Sequence, residues 1–281
     1  MASDEYREAS LQSWEQMAEG WERQRTMLWE LTRPVGEWLV EALDPKPGET
    51  ILELAAGLGD SGFEAAARVG AGGRLISTDF APAMVEVARR HAAEVGVSNA
   101  EFRTMDAEDM DLPDGGVDGV LCRFGYMLMA DRAAALRETH RVLGDGGRVA
   151  LAVWGAPERN PWATVAARAL MEQTGAPPPD PDAPGIFAMA DPERTRALLS
   201  GAGLEPRRTD EVEVLWAFDS GDDLWRWVLD VAGPLSVAVR AMPAEDQLAV
   251  RKKVDANLEP HTGPDGRVEL PGMAVTVLAT K

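Results

Sequence analysis

The chain has 281 residues, 47 acidic against 28 basic, for a formal net charge of −19. Such a surface repels phosphate backbones and anionic bilayers alike, which excludes nucleic-acid tracking and membrane adsorption as leading functions. One cysteine, Cys122, and three scattered histidines, His91, His140 and His261, provide neither a disulfide nor a cluster of metal ligands. The acidic start, Met1-Ala2-Ser3-Asp4-Glu5, lacks the basic and apolar regions of a secretion signal. No apolar run approaches the roughly 18–20 residues of a membrane span, so a cytoplasmic address without membrane insertion is expected.

In chain order, the first expectation is helical. Leu11, Trp14, Ala18, Trp21, Arg25 and Leu28 recur at spacings of three and four, one stripe of an amphipathic helix. A second helix carrying Val35, Trp38, Leu39 and Ala42 is stopped by Asp44-Pro45 and Pro47-Gly48, so residues 1–44 read as a helical cap. From Thr50 the texture alternates. Strands are expected at Thr50–Ala55, Arg74–Thr78, Glu101–Met105, Val117–Cys122 and Arg148–Trp154, separated by helices and by glycine turns. That alternation implies βαβ units and a parallel sheet. Later come helices near Asn160–Thr174, from Asp191-Pro192-Glu193 to about Gly201, and from Ser220 to about Asn257. Two alternating stretches, Val212 to Phe218 and Met273 to Ala279, predict strands that pair antiparallel at one edge.

Gly57-Leu58-Gly59-Asp60-Ser61-Gly62 fits G-x-G-x-x-G between a strand and a helix. Such a turn lets a ligand approach the backbone, but it serves dinucleotides and S-adenosylmethionine equally. The acids at the ends of the first three strands, Glu53, Asp79 and Asp106, separate the two classes. In a parallel sheet these ends face one crevice; a diphosphate would be repelled there, whereas a sulfonium with an ammonium is favoured. Asp79, 20 residues after Gly59, would take ribose hydroxyls in either class.

Ile51-Leu52-Glu53-Leu54-Ala55-Ala56-Gly57-Leu58-Gly59-Asp60 resembles the first motif of class I S-adenosylmethionine-dependent methyltransferases, in the variant of the ubiquinone/menaquinone C-methyltransferase branch. Thr78 to Met84 resembles the ribose motif, Met105-Asp106-Ala107-Glu108 the adenine motif, and Val117 to Gly125 the fourth-strand motif. Arg141 to Arg148 resembles the turn before the fifth strand, with Asp145 where proline is usual. The resemblance covers roughly residues 45–155 and implies a Rossmann-like, seven-stranded, mostly parallel sheet with helices on both faces. The domain would span 45–281, with lid insertions at about 155–190 and 219–258.

By this resemblance, Glu53 would orient the methionine amino group, Ala55, Gly57 and Gly59 would form the close-approach loop, and Asp79 would hold the ribose. Phe80 and Met84 would flank adenine, Asp106 and Ala107 would bind its amine and ring, and Arg123 and Phe124 would line the methionine end. Arg123 departs from the small polar residues usual there. Trp21, Tyr126, Trp225 and His261 are candidates for the acceptor side, together with Trp227. His91, His140 and Cys122 read instead as packed residues. In-line methyl transfer needs alignment and exclusion of water, and a general base only where the nucleophile must lose a proton, so no catalytic residue is assigned. The Trp and Met content of the lid segments suits an aromatic, prenylated or polyketide-like small acceptor for C- or O-methylation. An NAD(P)-dependent oxidoreductase and a noncatalytic S-adenosylmethionine-binding protein are the alternatives. The oligomeric state is open between a monomer and a homodimer.

Overall fold

The structure is a computed structural model and describes residues 3–281. Two helices open the chain, α1 (Ser3–Arg23) and α2 (Arg25–Leu43). The break at Gln24 divides the apolar stripe read across residues 11–28: Trp14 and Trp21 meet edge to face on α1, while Leu28 is buried with α2. Asp44 ends α2 in a left-handed conformation with its N–H on the Val40 carbonyl, and Pro45 and Pro47 prevent the helix from resuming.

Next come β1 (Thr50–Glu53), α3 (Asp60–Val69), β2 (Arg74–Asp79), α4 (Pro82–Val95), β3 (Ala100–Thr104), β4 (Val117–Arg123), α5 (Arg132–Val142) and β5 (Leu143–Trp154). The later part carries α6 (Pro161–Thr174), α7 (Pro192–Gly201), β6 (Glu205–Phe218), α8 (Gly221–Val231), α9 (Gly233–Arg240), α10 (Ala244–Leu258) and β7 (Val268–Thr280). All the strands join one sheet in the order β3-β2-β1-β4-β5-β7-β6. β1 to β5 run parallel, and β7 enters antiparallel between β5 and β6. The expected Rossmann-like architecture is therefore present. Central strands bury both faces, as Ile51, Leu52, Val120 and Leu121 show, and this explains their continuous apolar runs.

The chain walks outward from β1 to β3 and then returns to walk the other way through β4 and β5. Right-handed crossovers consequently put α3 and α4 on one face and α5 on the other. α2 packs beside α3 against β4 and β5, and α7 packs beside α5. Where the direction reverses, between β1 and β4, the carboxyl ends of the strands bound a crevice of the kind that holds ligands in open α/β sheets.

β6 and β7 continue past the end of β5, pairing Trp216 with Leu270 and Phe218 with Val268, whereas Trp154 faces Ala274. They form a wall above the crevice, onto which α6 and α8 pack. α1 lies across α4, α8 and α9 and so spans the opening. Among the described residues no helix is long and apolar enough to cross a membrane.

Candidate active site

The loop after β1 is built on three left-handed residues, Ala55 (φ 50°), Gly57 (φ 56°) and Gly59 (φ 85°). For alanine this conformation costs on the order of 1–2 kcal/mol, so the surroundings must hold it. They do so through backbone bonds: Leu54 N–H to Leu121 O, Ala56 N–H to Thr78 O and Gly59 N–H to Ala56 O, all at 2.9 Å. The loop after β4 crowds against it from the side. A Cβ on Gly125 would stand 2.6 Å from the Ala55 Cβ, which is why glycine is needed there.

Glu53 lies beneath this loop, almost wholly buried. Its Oε1 accepts from the Gly62 N–H at 2.7 Å and its Oε2 from the Ser77 hydroxyl at 3.2 Å. Burial pushes its pKa up to about 8 against the pull of these bonds and of Arg123. At neutral pH the carboxyl is thus largely protonated and adds little charge to the crevice. Asp60 lies inside the glycine turn, and sequence analysis gives it no role beyond its place in the first motif. It opens α3 beside His91, whose Nδ1 is 3.8 Å from Oδ1, and its Oδ2 is buried with no hydrogen-bond partner among the described residues. Burial raises its pKa, opposed by Arg123, His91 and Arg25. The neighbouring Ser61 hydroxyl is likewise buried and unpartnered. Arg123, at the end of β4, donates to the Thr32 hydroxyl and lies over Trp29, with its guanidinium 5.6 Å from the ring centre. Its positive charge faces Asp60 and Glu53.

Asp79 stitches the next strand end to the loop. Its Oδ2 accepts from Gly57 N–H at 2.9 Å and its Oδ1 from Ala81 N–H at 3.0 Å. Phe80 beside it is half-buried, whereas Met84 is wholly buried in α4. Asp106 caps its own turn by accepting from Glu108 N–H at 2.9 Å, and Ala107 is buried next to it. Reaching over from α1, Arg7 pairs with Glu108 and brings its Nε to 3.9 Å from Asp106 Oδ2. Tyr6 adds a bond to Leu128 O at 2.8 Å, and Glu15 accepts from Ala83 N–H at 2.9 Å. Further along α1, Trp21 lies over Gly57, its ring 3.8 Å from where a Cβ would stand, and its indole donates to Val231 O at 3.2 Å. Arg23 and Gln24 then hold Asp230 of α8. α1 is therefore fastened at both ends of the crevice.

On the acceptor side the expected residues separate. Phe124, left-handed at φ 64°, lies flat against Trp154 with ring centres 4.0 Å apart and an interplanar angle of 7°. Trp154 leads to Trp162, Trp216 and Trp227, forming one aromatic wall. Trp225 points elsewhere, to the Arg251 guanidinium of α10, as two helical residues at a spacing of two must. Tyr126 is fully buried, its hydroxyl 2.5 Å from Thr139 Oγ1. His261 stands in the turn between α10 and β7. Cys122 is buried, with its thiol pushed up to about 12, and His91 binds the Leu58 carbonyl at 2.9 Å, so both serve packing.

The donor set suits S-adenosylmethionine. Asp79 retains unused lone pairs for ribose hydroxyls, Gly57 presents bare backbone, and Asp106 stands at the far strand end with one oxygen bound to no neighbouring amide. A family model described as a methyltransferase domain matches residues 51–147. Aklanonic acid methyltransferase DauC of Streptomyces sp. (strain C5) is 32% identical over 150 residues, which are 53% of this chain and 67% of that protein. Demethylmenaquinone methyltransferase of Thermus thermophilus is 35% identical over 131 residues, 46% of this chain and 59% of that one. The chain thus spans about three fifths to two thirds of the length of these curated relatives. A protein of Bacillus halodurans C-125 solved as a candidate methyltransferase superposes with a TM-score of 0.59 at 19% identity, covering 88% of this chain and 98% of that one, a likeness of fold. Sheet order, the glycine turn, Asp79, Asp106 and the relatives agree, and the chain belongs to the class I S-adenosylmethionine-dependent methyltransferases.

Proposed function

We propose that the chain methylates an oxygen or an activated carbon of a small, planar aromatic acceptor. The observation that carries this reading is the Phe124–Trp154 stack at the carboxyl ends of β4 and β5, beside Arg123 and the glycine turn. An aromatic platform there favours flat apolar molecules. The relatives, whose names give aklanonic acid and demethylmenaquinone as what they methylate, support a small organic acceptor. The net charge of −19 speaks for such an acceptor over a nucleic acid, and a single buried cysteine suits a reducing cytoplasm.

The cofactor supplies an electrophilic methyl group on a positively charged sulfur. Asp79 and Asp106 would hold its nucleoside, and the bare backbone at Gly57 would admit its chain. Asp60 would serve as proton acceptor: the hydroxyl or enol proton that the acceptor must lose on methylation would pass to Oδ2. A carboxylate whose pKa is raised by burial is better matched to that task near neutrality than an ordinary one. The charge of Arg123 opposes the rise that burial imposes on Asp60, and α1 with Trp21 would exclude water. The test is formation of S-adenosylhomocysteine from S-adenosylmethionine with a panel of hydroxylated aromatic acceptors. Turnover with at least one planar phenol or enol is expected; no turnover above the acceptor-free rate across the panel would overturn the reading.

A further inference from the structure

α5 and α7 pack side by side on the sheet face opposite α3 and α4, and they do not close completely. A cavity of about 430 Å³ lies between them, within the size range of small-molecule sites. Much of its lining is apolar, with Ala133 from α5, Leu198 from α7 and the buried Met189 from the segment entering α7. Its charged groups are all cations. Arg132 and Arg137 from α5 and Arg194 from α7 line the cavity, and no acid does. Such a convergence stands out in a chain with 47 acidic residues against 28 basic. The fold answers only one of these charges with a carboxylate. Arg194 pairs with the Asp182 side chain, whereas Arg132 gives one Nη to the Asp182 carbonyl at 2.9 Å. Arg137 has neither an ion pair nor a hydrogen bond among the described residues.

We propose that this cavity is a second ligand site, separate from the crevice, for a small organic anion: a carboxylate carried on an apolar body. Guanidinium groups held around one cavity repel one another, and a bound anion relieves that repulsion while their planar forks bond its oxygens. The apolar lining sets the rest of the ligand. An inorganic anion would fill little of the cavity and leave Ala133, Met189 and Leu198 uncovered, whereas a ring or short alkyl body buries them. The cavity shares no lining residue with the loop after β1, yet one segment joins the two. Gly185 N–H bonds the Met127 carbonyl at 3.0 Å, and Met127 follows Gly125, which crowds Ala55. Occupancy of this cavity is independent of which acceptor the crevice takes.

The test uses calorimetry on the full chain, with and without S-adenosylhomocysteine, and two probes of one shape, 2-naphthoate and the neutral 2-naphthamide. Naphthoate should bind about ten-fold tighter than the amide and about ten-fold tighter than inorganic phosphate. Arg137→Gln and Arg194→Gln should each weaken naphthoate about five-fold, and the double variant more than about ten-fold, with naphthamide held within about two-fold. Ala133→Leu, which fills the cavity from a partly exposed helix position, should weaken both probes about ten-fold. Melting temperature and affinity for S-adenosylhomocysteine should be unchanged in every variant, which separates a lost site from a lost fold. Equal affinity for the two probes, phosphate binding as tight as naphthoate, or no binding of naphthoate would overturn the proposal. So would naphthoate binding indifferent to all these substitutions, which would place the probe at the aromatic wall instead.

Discussion

Glu53→Gln tests the electrostatics of the loop foundation. The native carboxyl has a pKa of about 8, against an ordinary value of 4.5. Between those limits the folded chain keeps a proton that the unfolded chain has released. Stability therefore falls as pH rises through this window, by about 1.4 kcal/mol per unit for one group. From about pH 5 to pH 8 the loss due to Glu53 is then on the order of 4 kcal/mol. Glutamine preserves both contacts: its oxygen can accept from Gly62 N–H, and its amide can donate to the Ser77 hydroxyl. Urea unfolding of both proteins at steps across that range should show the variant gaining on the parent by roughly that amount, mostly above pH 6. A difference in stability that stays constant with pH would refute a buried, proton-retaining Glu53. A variant that loses ground as pH rises would show the carboxylate to be the favoured native form.

Asp60→Asn should lower kcat by about 100-fold or more while S-adenosylhomocysteine still binds in calorimetry. The parent rate should climb with pH as Asp60 ionises, above the usual aspartate range because burial raises it, and the variant should lose that limb. Arg7→Ala removes the contacts of α1 with Glu108 and Asp106, and S-adenosylhomocysteine should then dissociate about five-fold faster in stopped flow with little change in melting temperature. Gly62→Ala would place a Cβ 2.1 Å from Glu53 Oε2, costing about 1–3 kcal/mol in denaturant unfolding. Combining it with Glu53→Ala should cost less than the sum of the two changes.

Much of this was legible in the chain because local chemistry marks it. Asp44-Pro45, Gly70, Gly96 and the Pro113 to Gly116 turn punctuate the βαβ units where the structure has them. Asp79 and Asp106 can be found from strand ends alone. The lower half of β6 could not, because Glu205 to Glu211 is polar on both faces and is held as a strand by pairing with β7 rather than by alternation. The direction of the Glu53 carboxyl depends on Gly62 and Ser77, one on α3 and the other on β2, so a strand-end position alone does not tell whether it faces the crevice or the core. Asp60 reads locally as an acid in the first turn of a helix; only the fold reveals its unpartnered oxygen beside Arg123. Arg7 lies about a hundred residues from Asp106 in sequence, and no spacing rule joins them.

The placement of β7 bears on how the chain reaches this state. It lies between β5 and β6 yet follows both in sequence, and β6 pairs with nothing else in the sheet. Until residues 268–280 are available, β5 presents an open, wholly buried-type edge and β6 has no ladder to join. The aromatic wall cannot assemble either, since Trp216 takes its position from its pairing opposite Leu270. Assembly of the aromatic wall is thereby made a late event of folding, whereas the β1–β4 crevice is complete with earlier parts of the chain. A protein interrupted before its final strand would carry the glycine loop and its strand-end aspartates but no aromatic wall, and its exposed β5 edge would favour association with other chains.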